Sequence, residues 1–231
     1  CFEAILKRLE LAIPWRGDTL GFEASRVTIE PFDLRQPVRY DLVIDRLTHW
    51  YFTSREWIKK AVVMNDTYVF NNPWSLQSNE KHTSYCAMMR LGLKVPGTWM
   101  LPPKAYEQTA DLQPTLTRYA RYFDLGPIGA TLGYPLFMKP YDGGGWVGVS
   151  KVDDEDQLRA AYEASGTKVM HLQSAVIPYE RFVRCIGLGP QTRVVNYDPA
   201  APLHDRYRMD RDFLAPELQS ELEDITRTRK V

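Results

Sequence analysis

Residues 134–152 have the sequence YPLFMKPYDGGGWVGVSKV. The apolar run Leu136–Met138, closed by Lys139 and a proline, predicts one strand, and the alternating valines over 147–152 predict a second. The glycines of 143–145 lie between these runs and favour a flexible turn, because glycine carries no Cβ penalty at positive φ. The stretch is therefore expected to be a hairpin with a lysine on its first strand and bare backbone amides at its tip.

The tip of this hairpin is suited to binding a nucleotide phosphate. Converging backbone amides can hold phosphate oxygens, and the Lys139 ammonium adds a mobile point charge. Gly143, Gly145 and Gly148 also satisfy G-x-G-x-x-G, but that fingerprint requires a helix after the glycines, and a strand is predicted here. In a protein-kinase glycine loop the lysine follows the glycines, whereas Lys139 precedes them. An ordinary glycine-rich hairpin with a surface lysine remains the alternative.

The composition is that of a globular chain with a real core. The 231 residues are 44% hydrophobic and 25% charged, which suits one large or two modest domains. The formal net charge is zero, so bulk attraction to nucleic acid or to an anionic membrane is not expected. No apolar run has the length of a membrane span, and no signal-peptide pattern is present.

Cysteine usage favours a reducing compartment. Cys1, Cys86 and Cys185 are widely spaced and odd in number, with neither a disulfide framework nor zinc-ligand spacing, which predicts a cytoplasmic protein. The chain opens on Cys1 directly in a helical pattern, so we expect it to be part of a longer protein.

Residues 1–75 are expected to form a small α/β layer with mostly parallel strands. Asp45, Arg46 and His49 would lie at the carboxyl end of one strand, where open α/β sheets bind ligands, although Asp45 and Arg46 could simply pair with each other. The predicted elements are a helix from Phe2 to Leu9, strands at 26–29, 40–46 and 68–70, and a helix from Thr53 or Ser54 to about Met64.

Asn71-Asn72-Pro73 breaks the pattern, and a second domain is expected over 76–231. Ser78 is expected to cap a helix that carries Lys81 in its first turn, the end at which a cation is disfavoured by the helix dipole. That lysine is either an indifferent surface residue or a ligand for an anion. The other predicted elements are a strand over 94–101, a helix over 114–123, the hairpin, a helix over 154–164, strands over 169–173, 182–188 and 192–197, and a final helix over 216–229.

Three motifs in this order resemble the ATP-grasp superfamily, and among its members the glutathione-synthetase-like amino-acid and peptide ligases. NEK at 79–81 with LGLKVPGTWML at 91–101 is similar to the entry of that family. PLFMKPYDGGGWVGVSKV is similar to its lysine strand and phosphate loop, and HLQSAVIPYERFVRCIGLG at 171–189 to its adenine connector. The resemblance covers roughly residues 71–212. It implies an ATP-grasp fold of α/β and α+β type, preceded by a Rossmann-like (pre-ATP-grasp) domain and truncated at both ends.

The resemblance also implies roles for individual residues. Lys81 and Lys139 would contact the α- and β-phosphates of ATP, and Arg184 or Arg193 would stabilise charge on the transferred phosphoryl group. Arg184 could instead be a strand-face residue paired with Glu180. The remaining implied contacts are the phosphate lid of Gly143, Gly144, Gly145 and Trp146, the adenine connector of Gln173, Ser174, Ala175 and Val176, and the ribose contact of Glu180.

Two departures from the family pattern stand out. At Gln173 and Ser174 the family often carries an acid and a lysine, which weakens any expectation about adenine selectivity. The family holds Mg²⁺ with a late acid followed by an acid-x-Asn pair, and no such triplet occurs in this chain. The available acids, all of which precede the place of that strand, are Asp198, Asp205, Asp210 and Asp212.

The function implied is that of an ATP- and Mg²⁺-dependent ligase joining a carboxylate to an amine or a thiol through an acyl phosphate. The alternatives are a nucleotide-binding module or scaffold without turnover, and an unrelated α/β protein that binds no ATP. Small-molecule or peptide substrates would be contacted by Arg46, His49, Arg193 and residues 204–212. Nucleic acid and membrane partners are not expected, and a homodimer is compatible with the pattern.

Overall fold

A computed structural model describes residues 2–28, 30–46, 51–78, 80–142, 144–208, 210 and 213–228. The chain forms two compact units, residues 1–77 and 78–231. Among the described residues, no helix is both long and apolar enough to cross a membrane.

The first unit contains a parallel strand pair joined by a helix. Its elements are α1 (Phe2–Leu9), β1 (Ala12–Trp15), β2 (Asp18–Gly21), β3 (Leu42–Ile44), α2 (Phe52–Asn65), β4 (Tyr68–Phe70) and α3 (Pro73–Ser78), whose last residue belongs to the second unit. Strands β3 and β4 pair in parallel, with Val43 opposite Val69, and helix α2 connects them. A hairpin of β1 and β2 precedes them.

Two predictions in this region are wrong. The predicted strand from Arg26 is absent over residues 26–28, where the Arg26 side chain instead donates to Glu3, and Ile29 lies outside the described residues. Ser78 ends α3 rather than capping the helix of Lys81. A separate helix, α3, begins before Ser78, because the Asn72 side chain accepts from the backbone N–H of Trp74 and caps a helix that starts at Pro73.

The second unit contains two β-sheets and five helices among its described residues. Its elements are α4 (Lys81–Arg90), β5 (Thr98–Leu101), α5 (Leu112–Tyr119), α6 (Leu125–Leu132), β6 (Leu136–Pro140), β7 (Ser150–Val152), α7 (Glu155–Ala164), β8 (Met170–Ser174), β9 (Val183–Leu188), β10 (Gln191–Tyr197), β11 (Tyr207–Arg208) and α8 (Pro216–Thr228). The first sheet has four strands in the order β5-β8-β6-β7. The second sheet consists of β9, β10 and β11, with its strands antiparallel.

One face of the four-stranded sheet carries the main core. Leu136, Met138 and Leu172 project from this face and are almost completely buried. They pack with Leu158 of α7 and Ile128 of α6, so both helices cover the same side of the sheet. Burial of each such side chain is worth roughly 1.5–3 kcal/mol, and this packing fixes the orientation of the strands. The opposite face is left for the polar residues that alternate with them.

The hairpin forms as predicted, but its second strand is shorter. Strands β6 and β7 pair antiparallel, with Leu136 opposite Val152. Residues 145–148 form turns in place of the predicted strand from Val147. Positive φ angles at Gly145, Trp146 and Gly148 are incompatible with a strand, so the valine alternation was misleading over 147–149.

Helix α6 was missed and α5 ends early. The predicted helix over 114–123 is observed as Leu112–Tyr119. A second helix then begins after Asp124, whose side chain accepts from the Gly126 N–H and caps it. This helix was not predicted because it contains two glycines. The same glycines let it pack closely, since a Cβ at Gly129 would lie 2.3 Å from the Tyr134 hydroxyl.

Candidate functional site

The polar face of the four-stranded sheet carries the candidate site. Lys139 of β6 lies directly opposite His171 of β8, and two residues along β8, Gln173 lies opposite Thr98 of β5. Side chains directly opposite each other, or two apart on one strand, share a face. Lys139, His171, Gln173 and Thr98 therefore project together, away from the core. This side is where the side chains of α4 meet the sheet.

The Lys139 ammonium is held by two neutral oxygens. Its Nζ donates to Gln173 Oε1 over 2.6 Å and to the Tyr85 hydroxyl over 3.2 Å. The same Nζ lies 5.6 Å from the centroid of the Tyr85 ring, a cation–π distance. Since an ammonium has three donors, these two bonds leave one N–H for a further acceptor.

Lys81, at the start of α4, converges on the same region. Its Nζ lies 3.4 Å from the Tyr141 carbonyl oxygen and 3.5 Å from that of Pro140, which places it beside the end of β6. Burial is the main cause that lowers the pKa of Lys81, and the positive charge of Lys139 lowers it further, against an opposing effect of Asp142. Two neighbouring cations are stabilised by a polyanion placed between them.

Below the lysines lies a buried histidine. His171 is fully buried, and within the described part of the chain neither ring nitrogen has a hydrogen-bond partner. Its ring centroid is 5.7 Å from that of His82 and 6.1 Å from that of Tyr85, both on α4. Burial, followed by the charges of His82, Lys139 and Lys81, lowers the pKa of His171 to about 4. At neutral pH it is therefore an uncharged imidazole.

The glycine loop after β6 presents backbone amides. Gly145 and Trp146 both have positive φ angles, 61° and 68°, and Gly148 has a φ of 69°. The N–H of Val147 is satisfied by the Gly144 carbonyl, but among described residues the amides of Gly145, Trp146 and Gly148 have no acceptor. The predicted lid residue Gly143 lies outside the described residues. The loop thus offers N–H groups that have no acceptor in the described part of the chain, and such groups can bind anions.

The predicted adenine connector follows β8. The backbone N–H of Ser174 donates to Gly97 and that of Ala175 to Pro135, and the Ser174 hydroxyl donates to the Leu132 carbonyl. These groups are already engaged within the protein, while Val176 is 60% exposed. Beyond them, the predicted ribose contact Glu180 is exposed and forms no ion pair among the described residues. Of the connector, Val176 is therefore the residue whose side chain is exposed.

The two predicted catalytic arginines lie on the second sheet. Arg184 of β9 stacks 4.4 Å from the centroid of Tyr197, and Arg193 of β10 lies opposite Ile186 and is exposed. Burial alone would raise the pKa of Tyr197, but the side chains of Arg206, Arg184 and Trp146 around its hydroxyl lower it below its usual value. The stacking, rather than a pair with Glu180, holds Arg184.

The acids considered as Mg²⁺ ligands do not assemble into a metal site. Asp198 pairs with Arg208, Asp205 lies 3.3 Å from His204, and Asp210 accepts from Asn196. Asp212 lies outside the described residues. Across the part of the chain that the structure describes, no three His, Cys, Asp or Glu side chains are grouped to hold a metal ion.

Several residues of the candidate site were not predicted from the sequence. Tyr85, His82, Thr98 and the role of His171 were all missed. The sequence contained a signal for two of them. Tyr85 follows Lys81 by four residues on a helix, and the polar residues His171 and Gln173 alternate with apolar core residues on a strand.

In the first unit, Asp45 is buried, Arg46 is exposed, and the proposed ligand His49 lies outside the described residues.

Comparisons with known proteins show a shared fold and low sequence identity. No protein-family model matches the sequence, and no curated protein matches it. VanG D-Ala:D-Ser ligase from Enterococcus faecalis is 18% identical, with a TM-score of 0.52 over 82% of this chain and 55% of that chain. N5-carboxyaminoimidazole synthase from Aspergillus clavatus, solved with ADP and 5-aminoimidazole ribonucleotide, is 11% identical, with a TM-score of 0.51 over 75% of this chain and 42% of that chain. The chain thus spans about half the length of these structures.

Proposed function

Since this chain has the ATP-grasp fold that it shares with VanG ligase and carboxyaminoimidazole synthase, we propose that it belongs to an ATP-dependent carboxylate–amine (or carboxylate–thiol) ligase. The observation that carries the proposal is the convergence of Lys139 and Lys81 on one sheet face, next to a loop with free amides. Polyphosphate is the ligand that such a group of donors fits best.

In the proposed complex, the two lysines and the loop contact the nucleotide phosphates. The third N–H of Lys139 and the ammonium of Lys81 face phosphate oxygens, and the amides of Gly145 and Trp146 close over them. The adenine lies against Val176, with Glu180 in reach of the ribose hydroxyls. Gly143 and Gly144 belong to the same proposed lid, and Gln173, Ser174 and Ala175 support the connector from within.

The proposed reaction has two steps. A carboxylate oxygen of the substrate attacks the γ-phosphorus of ATP, the bond to the β-phosphate oxygen breaks, and ADP leaves with that electron pair. An amine or thiol then attacks the acyl carbon and expels inorganic phosphate. Arg184 and Arg193 are proposed to stabilise charge on the transferred phosphoryl group, which is the main task of the protein in phosphoryl transfer. Mg²⁺ accompanies ATP in this proposal, but the described acids do not form its site, so no step is assigned to it.

A non-catalytic ATP-binding module is the second candidate. It is favoured by one observation, since Asp198, Asp205 and Asp210 are each engaged by another side chain rather than grouped. Residues 1–75 are proposed as a pre-ATP-grasp domain and 76–231 as a partial ATP-grasp domain. A homodimer and a reducing, cytoplasmic setting complete the proposal, the latter supported by the free thiols of Cys86 and Cys185.

Calorimetric titration with ATP and Mg²⁺ tests the nucleotide site. We expect the wild-type chain to bind and Lys139→Ala to lose at least about tenfold in affinity, because a charge-assisted contact is removed. Lys104→Ala is the matched control, since Lys104 pairs with Glu163 of α7 on the side of the sheet where the core lies. Absence of binding by the wild type, or equal loss in both variants, would contradict the proposal.

Turnover separates the ligase from the binding module. Incubating the chain with ATP, a panel of carboxylates and hydroxylamine would convert any acyl phosphate into a hydroxamate. Hydroxamate formation together with ADP release supports the ligase. ATP binding without either product supports the module.

A further inference from the structure

The second unit contains a cavity that lies apart from the proposed nucleotide site. It has a volume of about 630 Å³, which is in the range of pockets that hold small molecules. Its wall comes from the chain after β5, the connection between α5 and α6, and one side of α7. Because α6 and α7 cover the core face of the four-stranded sheet, the cavity lies on the side away from Lys139. We propose that it binds a small aromatic carboxylate, whose charge is held by Arg121, and this proposal does not depend on the proposed function.

The floor of the cavity is apolar and preformed. Tyr162 and Leu125 are only 7% and 6% exposed and belong to the core of the unit. The Tyr162 hydroxyl donates to the Pro102 carbonyl oxygen over 2.9 Å, and Phe123 meets the Tyr162 ring edge-on, with centroids 5.9 Å apart. These contacts hold the rings in place before a ligand arrives, so binding removes little further side-chain freedom.

Two tyrosines at the rim leave large apolar surfaces in water. Tyr119 and Tyr122 are 69% and 93% exposed, and both line the cavity. A flat ring bound between the rim and the floor would cover these surfaces in the offset-stacked or edge-on arrangements that aromatic rings prefer. The body of the ligand is therefore expected to be flat and apolar.

Charge pairing along the wall leaves one cation for the ligand. Lys104 pairs with Glu163, and Arg159 pairs with Asp124 over 2.8 Å. Arg121 forms no ion pair within the part of the chain that the structure describes. The three basic side chains disfavour a cationic ligand, and a polyanion would meet only one uncompensated charge. A single negative group fits this arrangement.

The guanidinium of Arg121 is held with one edge unused. Its Nη1 donates to the carbonyl oxygens of Arg118 and Ala120, over 3.2 and 3.0 Å, at the end of α5, where a cation is favoured. Its Nε and Nη2 donate to no group among the described residues. These two atoms carry the parallel N–H groups that bind both oxygens of a carboxylate. Arg121 therefore presents a fork for a carboxylate beside the aromatic rings.

Two probes that differ in charge test this site. Indole-3-acetate has a flat ring and one carboxylate, and indole-3-acetamide is its neutral counterpart of nearly the same shape. In ligand-observed NMR titrations of the whole chain, we expect the acetate to bind with a dissociation constant on the order of 1 mM, as is usual for a ligand of so few atoms. The amide should bind at least about threefold more weakly, because it lacks the charge that the Arg121 fork holds.

Substitutions along the wall separate the effect of charge from that of the rings. Arg121→Gln should abolish the preference for the acetate, and Arg121→Lys, which keeps a cation but not the parallel N–H pair, should reduce it. Arg118→Gln is the matched control, because Arg118 is exposed on the same helix and does not line the cavity. Tyr122→Ala should weaken both probes alike, since it removes ring surface and no charge.

Competition with ATP distinguishes this cavity from the nucleotide site. Indole-3-acetate should bind equally well with and without Mg²⁺ and ATP, because the two sites lie on opposite sides of the sheet. A probe that ATP displaces lies in the nucleotide site, and the proposal is then wrong. The affinity of the wild type for ATP, measured in the same samples, bears only on the proposed function.

The proposal is also wrong if the wild type binds neither probe or binds both equally. Full preference for the acetate in Arg121→Gln, at the urea midpoint of the wild type, would contradict it as well. If Arg121→Gln lowers the urea midpoint, Arg121→Lys decides the matter, since its ammonium can still bond the carbonyls of α5. A preference in that variant as large as in the wild type would show that the parallel N–H pair holds no carboxylate.

Discussion

Lys139 and His171 lie directly opposite each other on the antiparallel strands β6 and β8, so a cation and a buried imidazole share one face of the sheet. Neither ring nitrogen of His171 has a hydrogen-bond partner among the described residues. Protonating this ring would place a third positive charge beneath Lys139 and Lys81. The protein therefore keeps a neutral histidine under its two lysines, and this has consequences for both stability and ligand binding.

The first prediction concerns acid stability. The pKa of His171 is about 4 in the folded protein and about 6.5 in the unfolded chain, so the unfolded state binds more protons between these values. His171 therefore destabilises the fold as the pH falls from about 6.5 towards 4, by roughly 3 kcal/mol in total. The groups that face it are His82, Tyr85, Lys81 and Lys139. Urea unfolding of the wild type between pH 7.5 and 4.5 should show this loss.

Substituting His171 identifies the source of that loss. His171→Leu should flatten the pH dependence between about 6.5 and 4.5, because the buried titrating group is gone. His204→Leu is the control, since His204 is exposed and lies outside the group of residues packed around His171. An equally steep decline in His171→Leu would show that His171 is not the source of the loss.

The second prediction concerns Lys81 at alkaline pH. Burial and the charge of Lys139 lower the pKa of Lys81, so this lysine loses its proton before an ordinary lysine does as the pH rises. ATP affinity should therefore fall as the pH rises through the lowered pKa of Lys81, because the neutral amine no longer attracts phosphate. Lys81→Arg should move the decline to higher pH, because a guanidinium stays charged. Calorimetric titrations from pH 7 to 10 measure this, and an unchanged decline in the arginine variant would contradict it.

Much of this architecture could be predicted from local pattern, and the failures have physical causes. The hairpin of β6 and β7, the β9–β10 pair and the final helix follow from runs of apolar residues with clear turn signals. The helix α6 was missed because its sequence, LGPIGATL, contains two glycines and a proline, while its stability comes from packing against α7 and β6.

Residues of the candidate site could be predicted only where they belong to a recognisable sequence motif. Lys139 and the glycine loop were predicted from the hairpin pattern and Lys81 from the family resemblance, and the structure brings the two lysines together. Gln173 was placed in the connector, but its actual contact with Lys139 depends on the register of β6 against β8, which local sequence does not encode. The role of Thr98 could not be predicted for the same reason, since its partner Gln173 lies 75 residues away along the chain.

The third prediction concerns the backbone of the glycine loop. Gly148 has a φ of 69°, and a Cβ at this position would lie 3.0 Å from Pro140 Cγ at the end of the lysine strand. Gly148→Ala should therefore shift the loop and weaken ATP binding several-fold, besides a cost of about 1–2 kcal/mol for the left-handed conformation. Gly166 is the matched control, because its φ is 59° and a Cβ there meets nothing within 4 Å. Gly166→Ala should keep its ATP affinity, and equal affinities in both variants would contradict the prediction.

The last prediction concerns Trp146 as the closing residue of the loop. Its ring meets Phe137 of the lysine strand edge-on, with centroids 6.3 Å apart, and its indole contributes to lowering the pKa of Tyr197 on the second sheet. Trp146 adopts a φ of 68°, which is unfavourable for a bulky residue and is retained because these two contacts hold it. The loop is thereby tied to both sheets of the second unit.

Replacing Trp146 should speed nucleotide release more than it changes stability. Trp146→Gly relieves the backbone strain and removes both contacts, so we expect an unfolding midpoint near that of the wild type and ATP dissociation that is at least several-fold faster. Trp146→Phe keeps a ring against Phe137 and should be intermediate. Trp99→Phe, at a half-exposed tryptophan of the edge strand β5, is the control. Stopped-flow displacement of a fluorescent ATP analogue measures these rates, and a Trp146→Gly variant that releases nucleotide at the wild-type rate would show that the loop closes without its tryptophan.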